Sequence, residues 1–151
     1  MVFSENNNSF SLTANSSHLE NLKKGLWLAL IGIDKTPPHI ALINQGAYYS
    51  LSTRSVDCGT PIERLLSVLE HKQRPSLFIQ IDTLNDAAKT DMQLQGIYKE
   101  FQPLGNDENT CLSPIKDFFT IFYSVEFAGV NYVFELLALA EKNKLLKQCV
   151  S

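Results

Sequence analysis

The apolar run from Gly25 to Ile33 (GLWLALIGI) constrains the fold of this chain more than any other segment. It has no charged or polar side chain, and it stands between Lys-Lys and Asp-Lys-Thr-Pro-Pro. A short run that is apolar on both faces is typical of a strand covered on both sides or of a buried helix, and its periodicity does not separate the two. The glycines and the following Pro37-Pro38 favour the strand. The run is also far shorter than the roughly 20 residues that cross a bilayer, so no membrane span is predicted.

The segment from His39 to Ser52 predicts a β-hairpin. Both arms are rich in β-branched and aromatic residues, and Gly46 provides the turn. If Gln45 and Gly46 form a two-residue loop, His39 faces Ser52 across the two arms. A loop one residue longer would turn the side chains of the second arm to the other face, so this register is a hypothesis.

Helices are predicted for most of the remaining chain. Thr60 as N-cap, Pro61 in the first turn and an apolar stripe at helical spacing indicate one helix. Caps and periodicity then predict a strand over residues 76–82 and helices near residues 91–101, 113–122 and 130–146. Ser113 or Thr110 is the expected cap of the second of these helices.

Strands therefore cluster early and helices late. This order predicts an α+β fold: a small, mostly antiparallel sheet with an early hairpin, packed by three to four helices. A chain of 151 residues with 44% hydrophobic residues is long enough to bury one stable core. Serine and asparagine dominate residues 1–18, which predicts a disordered polar tail and leaves residues 19–151 as a single globular domain.

Charge and cysteine content argue against several classes of function. Nucleic-acid binding usually leaves a basic footprint, so a net charge of −3 makes nucleic acid an unexpected partner. Three cysteines without a CxxC pair favour free thiols in a reducing compartment, and residues 1–18 do not read as a signal peptide, so the expected location is the cytoplasm. Phosphate-binding loops, HExxH and GxSxG are missing, and the three histidines lack ligand spacing, so no cofactor and no metal are expected.

One pair of residues could carry chemistry. Cys111 precedes a helix by two or three residues, where the helix dipole favours a thiolate and free N–H groups can stabilise an oxyanion. His39 opens a strand just after Pro-Pro, where a rigid arm can aim its ring. A cysteine enzyme needs a thiol, a base within hydrogen-bond reach and a polar group that orients the base. Ser50 and Ser52 on the neighbouring strand are the candidate orienting groups.

The pattern around these residues resembles the circularly permuted branch of the papain-like superfamily, which includes the lecithin retinol acyltransferase-like proteins and bacterial relatives of the NlpC peptidases. The resemblance covers His39-Ile-Ala-Leu-Ile, Gly46 with the arm that follows it, and Thr110-Cys111-Leu-Ser113. Many members carry a second histidine or another strongly polar residue on the second strand, whereas this chain has serines and tyrosines there. The resemblance implies hydrolysis or acyl transfer on an amide or ester of an unassigned small molecule or peptide, with Cys111 as nucleophile and His39 as general base.

The same residues also fit a non-enzymatic protein- or ligand-binding module. A lone cysteine before a helix is most often a small buried hydrophobic residue. Cys58, in a polar segment, and Cys149, near the end of the sequence, are expected to be exposed. Such a module could form a homodimer through the hairpin edge or the phenylalanine-rich helix over residues 113–122. The position of the Cys111 sulfur relative to the His39 ring discriminates between the two interpretations.

Overall fold

The computed structural model describes residues 2–5, 8–11, 19–35, 37–83, 86–105 and 109–150. Its strands, in chain order, are β1 (Val2–Glu5), β2 (Asn8–Ser11), β3 (Leu26–Ile31), β4 (His39–Asn44), β5 (Ala47–Leu51), β6 (Val56–Pro61), β7 (Ser76–Ile81) and β8 (Leu146–Val150). β1 and β2 pair with each other, and the other six form one antiparallel sheet in the order β6-β5-β4-β3-β7-β8. The predicted α+β fold with an antiparallel sheet and an early hairpin is confirmed.

Helices cover both faces of the six-stranded sheet. In the described part of the chain they are α1 (Ile62–Lys72), α2 (Ala87–Tyr98), α3 (Ser113–Phe122) and α4 (Val133–Lys142). The apolar side of α1 packs on one face, and α2, α3 and α4 pack on the other. Within the described segments, no helix has the length and apolar character needed to cross a bilayer.

Strand β3 is the middle of the sheet, between β4 and β7. All six of its side chains are buried. Leu28 and its neighbours two residues away lie under α2, α3 and α4, whereas Trp27 and Ala29 lie under α1. This double burial explains why the run is apolar at every position, and it shows that the run is a strand and not a buried helix. Full burial of a large apolar side chain contributes roughly 1.5–3 kcal/mol to stability.

The β4–β5 hairpin has the register predicted for a two-residue loop. Leu42 lies opposite Tyr49. The turn residues Gln45 and Gly46 have φ values of 51° and 79°, and two successive positive φ values are the mark of a type I′ turn, which suits the twist of the flanking strands. This register turns the side chain of Ser50 toward the face that α1 covers.

The sequence interpretation missed β6 and β8, which are the two edge strands of the sheet. β6 contains Gly59 and Pro61, residues that weaken a strand pattern but are tolerated at an edge. β8 lies in the segment where the predicted last helix was to end. That helix stops at Lys142, and Lys144 then takes a positive φ of 60° that redirects the chain. Because β4 pairs with β3 and β5 pairs with β6, neither arm of the hairpin is an edge of the sheet.

Two helix starts also differ from the expected positions. Thr60 does not cap α1, because its hydroxyl donates to the Asp57 carboxylate at 3.0 Å, and Pro61 occupies the N-cap position instead. α2 begins earlier than expected, since the Asp86 carboxylate caps it by accepting the Lys89 N–H at 2.8 Å.

Within the predicted polar tail, β1 and β2 form a two-stranded ribbon. In the β1–β2 ribbon, Val2 lies opposite Ser11 and Glu5 opposite Asn8, and the ribbon lies against α4. Pairing of the two strands gives hydrogen-bond partners to their backbone N–H and C=O groups. Residues 1, 6–7 and 12–18 of the predicted tail lie outside the described residues.

Candidate functional site

A cavity of about 520 Å³ opens at the end of the sheet where β3 stops and β4 starts. It lies between the β3–β4 loop and the turn that joins α1 to β7. His39 and Cys111 both line it. The fold therefore brings the two residues singled out in the sequence to one concavity, although one opens an early strand and the other precedes a late helix.

His39 is anchored by the sheet. It is the first residue of β4, paired with Ile31 of β3. Its Nε2 atom lies 2.7 Å from the Ser50 hydroxyl on β5. Ser50 is only 2% exposed, so this hydrogen bond is shielded from water and orients the ring. In the described part of the chain the other ring nitrogen, Nδ1, makes no hydrogen bond, which leaves it free for a reacting group.

The surroundings of His39 keep its ring neutral at physiological pH. Burial lowers the pKa of His39 below its usual value of 6.5, and the nearby Arg74 guanidinium lowers it further. The Asp57 carboxylate, on β6 opposite Ser50, acts in the other direction. A neutral imidazole is the form that can accept a proton.

Ser52, the second orienting candidate, has different partners. It follows β5, and its hydroxyl accepts the N–H groups of Arg54 at 3.3 Å and of Ser55 at 3.2 Å. The same hydroxyl contacts the Ser55 carbonyl at 3.2 Å. Ser52 therefore closes a local turn, and Ser50 is the serine that contacts the imidazole.

Cys111 is half-buried in the turn that leads into α3. Cys111 lines the same cavity as His39 and packs against the core on the face that α2, α3 and α4 cover.

The N–H groups next to Cys111 are largely occupied. The Leu112 N–H donates to the Thr110 hydroxyl at 3.2 Å, and the Ser113 N–H donates to the Thr110 carbonyl at 3.0 Å. Pro114 has no N–H at all. Neither Thr110 nor Ser113 caps α3 through its side chain, since Leu112 holds the N-cap position. The N–H groups of Leu112 and Ser113 are therefore already occupied and are not free to stabilise an oxyanion.

The other two cysteines differ from the expected exposed residues. Cys58 is half-buried on β6, with its sulfur 3.9 Å from the Gln95 carbonyl, and burial raises its pKa. Cys149 is 5% exposed on β8, and burial raises its pKa to about 11. Neither residue lines the cavity.

Three cations line the cavity and were not singled out as site residues in the sequence. Lys35 comes from the β3–β4 loop, and Lys72 and Arg74 come from the end of α1. Among the described residues that line the cavity, Asp34 is the one acidic residue. Lys72 and Arg74 are visible in the sequence as part of one polar stretch, but only the antiparallel pairing of β3 with β7 brings that stretch to the same end of the sheet as Lys35.

A second polar cluster lies on the opposite face of the sheet. The Tyr49 hydroxyl donates to the Asp91 carboxylate on α2, and the Gln95 amide donates to the same carboxylate at 3.4 Å. The Tyr98 hydroxyl next to them is buried without a hydrogen-bond partner in the described part of the chain. These residues lie between helix and sheet and do not line the cavity.

Comparison with protein-family models, with curated proteins and with solved structures found no match. Among the described residues, no group of three or more histidine, cysteine, aspartate or glutamate side chains is placed to hold a metal ion. The positions of Cys111, His39 and the surrounding cations are thus the observations that bear on function.

Proposed function

We propose that this chain is a cysteine-dependent hydrolase or acyltransferase that acts on an ester or amide of a small molecule or peptide. The observation that carries the proposal is the shared cavity: Cys111 and His39 both line one concavity of about 520 Å³. A volume of this size lies within the range of about 300–1,000 Å³ that is typical of small-molecule sites.

His39 has the properties of a general base. Its lowered pKa keeps the ring neutral near pH 7, and Ser50 holds Nε2 in place. Nδ1 makes no hydrogen bond within the described residues and is the nitrogen that would take the proton. Hydrogen bonds in the active sites of free enzymes are often long and tighten when substrate binds, so Cys111 would approach the ring in the complex.

The reaction divides into two balanced steps. In the first, the Cys111 sulfur attacks the substrate carbonyl carbon and its proton passes to His39. The C–O or C–N bond then breaks, and the departing alcohol or amine takes that proton from the imidazolium. In the second step, water or an acceptor hydroxyl or amine attacks the thioester and its proton passes to His39. The sulfur leaves as thiolate and then takes that proton from the imidazolium, which restores the thiol and the neutral ring.

Detection of the acyl-enzyme tests this proposal directly. With p-nitrophenyl acetate as substrate, we expect an acetyl adduct that intact-protein and peptide mass spectrometry locate on Cys111. His39→Gln is expected to slow its formation by about 10²–10⁴-fold, the usual contribution of a general base. Cys58→Ala is the matched control, because Cys58 is also half-buried but does not line the cavity, and it should leave the rate unchanged.

Labelling with iodoacetamide provides an independent measurement. Cys111 should react faster than Cys58 near pH 7, and His39→Gln should slow Cys111 without affecting Cys58. The proposal fails if Cys111 carries no acyl adduct, or if its reactivity does not depend on His39. The non-enzymatic binding module would then be the better account of the cavity.

A further inference from the structure

The cavity beside His39 carries positive charge that the proposed acyl chemistry does not use. Lys35, Lys72 and Arg74 line it against the single carboxylate of Asp34, which leaves two positive charges in excess while His39 is neutral. In the described part of the chain, none of these three cations forms a salt bridge. Cations that are gathered in a concavity without partners repel one another, and an anionic ligand removes that cost.

The backbone holds the two sides of this charged cavity in fixed positions. The N–H groups of Gly32 and Ile33 both donate to the Pro75 carbonyl, at 2.9 and 3.2 Å, and tie the β3–β4 loop to the start of β7. The Arg74 N–H donates to the Leu69 carbonyl at 3.2 Å, which fixes the chain just after α1. Two rigid segments therefore present cations to one space from different directions.

Stabilisation of the α1 helix dipole explains only part of this arrangement. Cations at the C-terminal end of a helix interact favourably with its carbonyl groups, and this accounts for Lys72. It does not account for Lys35, which belongs to another loop. It also does not explain why Arg74 lies close enough to His39 to disfavour protonation of that ring.

We propose that this cavity binds a phosphate monoester group, with Lys35, Lys72 and Arg74 contacting the phosphate oxygens. Two excess charges match a phosphate dianion better than a singly charged carboxylate. The planar guanidinium of Arg74 can form two parallel hydrogen bonds to phosphate, and the lysines act as point charges. Together with the function proposed above, on which this step rests, phosphate binding implies that the substrate of Cys111 is an ester or amide that carries a phosphate group. Phosphate binding itself does not depend on that function.

Titration with inorganic phosphate, followed by NMR, tests the proposal. At about pH 8, where phosphate is mostly dianionic, and at constant ionic strength, we expect saturable shifts of the His39 ring and of the Ile33 and Gln73 amides. Acetate should bind at least about 10-fold more weakly, since it carries one charge. Shifts that do not saturate, or an affinity for acetate equal to that for phosphate, would overturn the proposal.

Charge variants locate the site. Lys72→Gln combined with Arg74→Gln should weaken phosphate binding by about 10-fold or more. Lys89→Gln combined with Lys99→Gln removes the same charge from exposed positions of α2 and its C-cap, away from the cavity, and should leave binding unchanged. An equal loss in both double variants would show that net charge, not this site, attracts phosphate.

A Cys111→Ala variant separates this proposal from the enzymatic one. We expect it to bind phosphate as the unmodified chain does, because the proposed contacts to the phosphate oxygens come from Lys35, Lys72 and Arg74 and not from the sulfur of Cys111. If phosphate binds while p-nitrophenyl acetate leaves no adduct on Cys111, the phosphate site stands and the enzymatic proposal fails. If an adduct forms while phosphate does not bind, the enzymatic proposal stands and the phosphate site is wrong.

Discussion

Two consecutive residues of β5 place polar side chains on opposite faces of the six-stranded sheet, and the two side chains have different surroundings. Ser50 points to the α1 face and contacts His39 at the rim of an open cavity. Tyr49 points to the other face and donates to Asp91 beneath α2, in a region that helices close. Because neighbouring side chains of a strand alternate between faces, one step along β5 separates a contact that can serve a ligand from one that joins a helix to the sheet.

One face of the sheet is covered by three helices and the other by α1 alone. The largest expected effect of this difference is on the free energy of unfolding after matched leucine-to-alanine substitutions in the two cores. Leu137 on α4 is fully buried, whereas Leu65 on α1 is 8% exposed. We expect Leu137→Ala to lower the free energy of unfolding by about 4–5 kcal/mol and Leu65→Ala by about 3 kcal/mol or less, since a closed site relaxes less around the cavity that is left. Urea unfolding measures both values, and a larger loss for Leu65→Ala would contradict the comparison.

The polar cluster beneath α2 should affect the stability of the fold and not the chemistry of the cavity. Tyr49→Phe removes the hydrogen bond to Asp91, and we expect it to lower the free energy of unfolding by about 1–2 kcal/mol, because the carboxylate keeps partial contact with water. Tyr98→Phe is the matched control. Its hydroxyl is buried without a partner in the described part of the chain, so its removal should be neutral or stabilising by up to about 1 kcal/mol.

Neither tyrosine variant should change the NMR titration of the His39 ring, because Tyr49 and Tyr98 belong to the core under α2, α3 and α4, whereas His39 contacts Ser50 on the α1 face. A change in that titration would mean that the cluster and the His39 side of the cavity are coupled, and the two faces would then not be independent. Equal destabilisation by Tyr49→Phe and Tyr98→Phe would show that loss of the hydroxyl, and not loss of a specific hydrogen bond, sets the cost.

The two candidate serines near the cavity, which the sequence could not separate, should respond differently to substitution. Ser50→Ala removes the partner of His39 Nε2, and we expect a loss of about 1 kcal/mol in the free energy of unfolding together with a change in the NMR titration of the His39 ring. Ser52→Ala disrupts a local turn and should leave that titration unchanged. If both variants change the titration equally, Ser50 has no particular role in holding the ring.

The hairpin register could be predicted because few residues determine it. Gln45-Gly46 suits a two-residue turn, and once the turn is set, the alternation of side chains places every residue of both arms. The strand β3 could be predicted for a similar reason, since burial on both faces leaves an uninterrupted apolar run. Local sequence favoured the correct structure in both cases, although it left open a buried helix for the first run and a longer loop for the hairpin.

Other parts of the molecule depend on contacts that no local pattern records. β8 consists of Leu146–Val150, with exposed lysine and glutamine among its residues, and it becomes a strand because β7 offers a free edge. The positive cavity depends on the pairing of β3 with β7, which brings Lys35 next to Arg74. His39 and Cys111 could be named from their positions at element starts, but their common cavity required the whole fold.

The smallest expected effect is a dependence of stability on pH that comes from the open face. The pKa of His39 is lowered in the folded chain, first by burial and then by Arg74, so the unfolded chain binds the proton more readily. The stability that the neutral ring contributes is therefore fully present above the ordinary histidine pKa of about 6.5, and it is lost as the pH falls from there through the lowered pKa.

Urea unfolding between about pH 7.5 and 5 should show this decline, and His39→Gln should reduce its slope. His71→Gln removes a histidine from the exposed side of α1 and should retain the slope. A decline that survives in His39→Gln but disappears in His71→Gln would mean that the ring at the cavity is not the group that responds to pH.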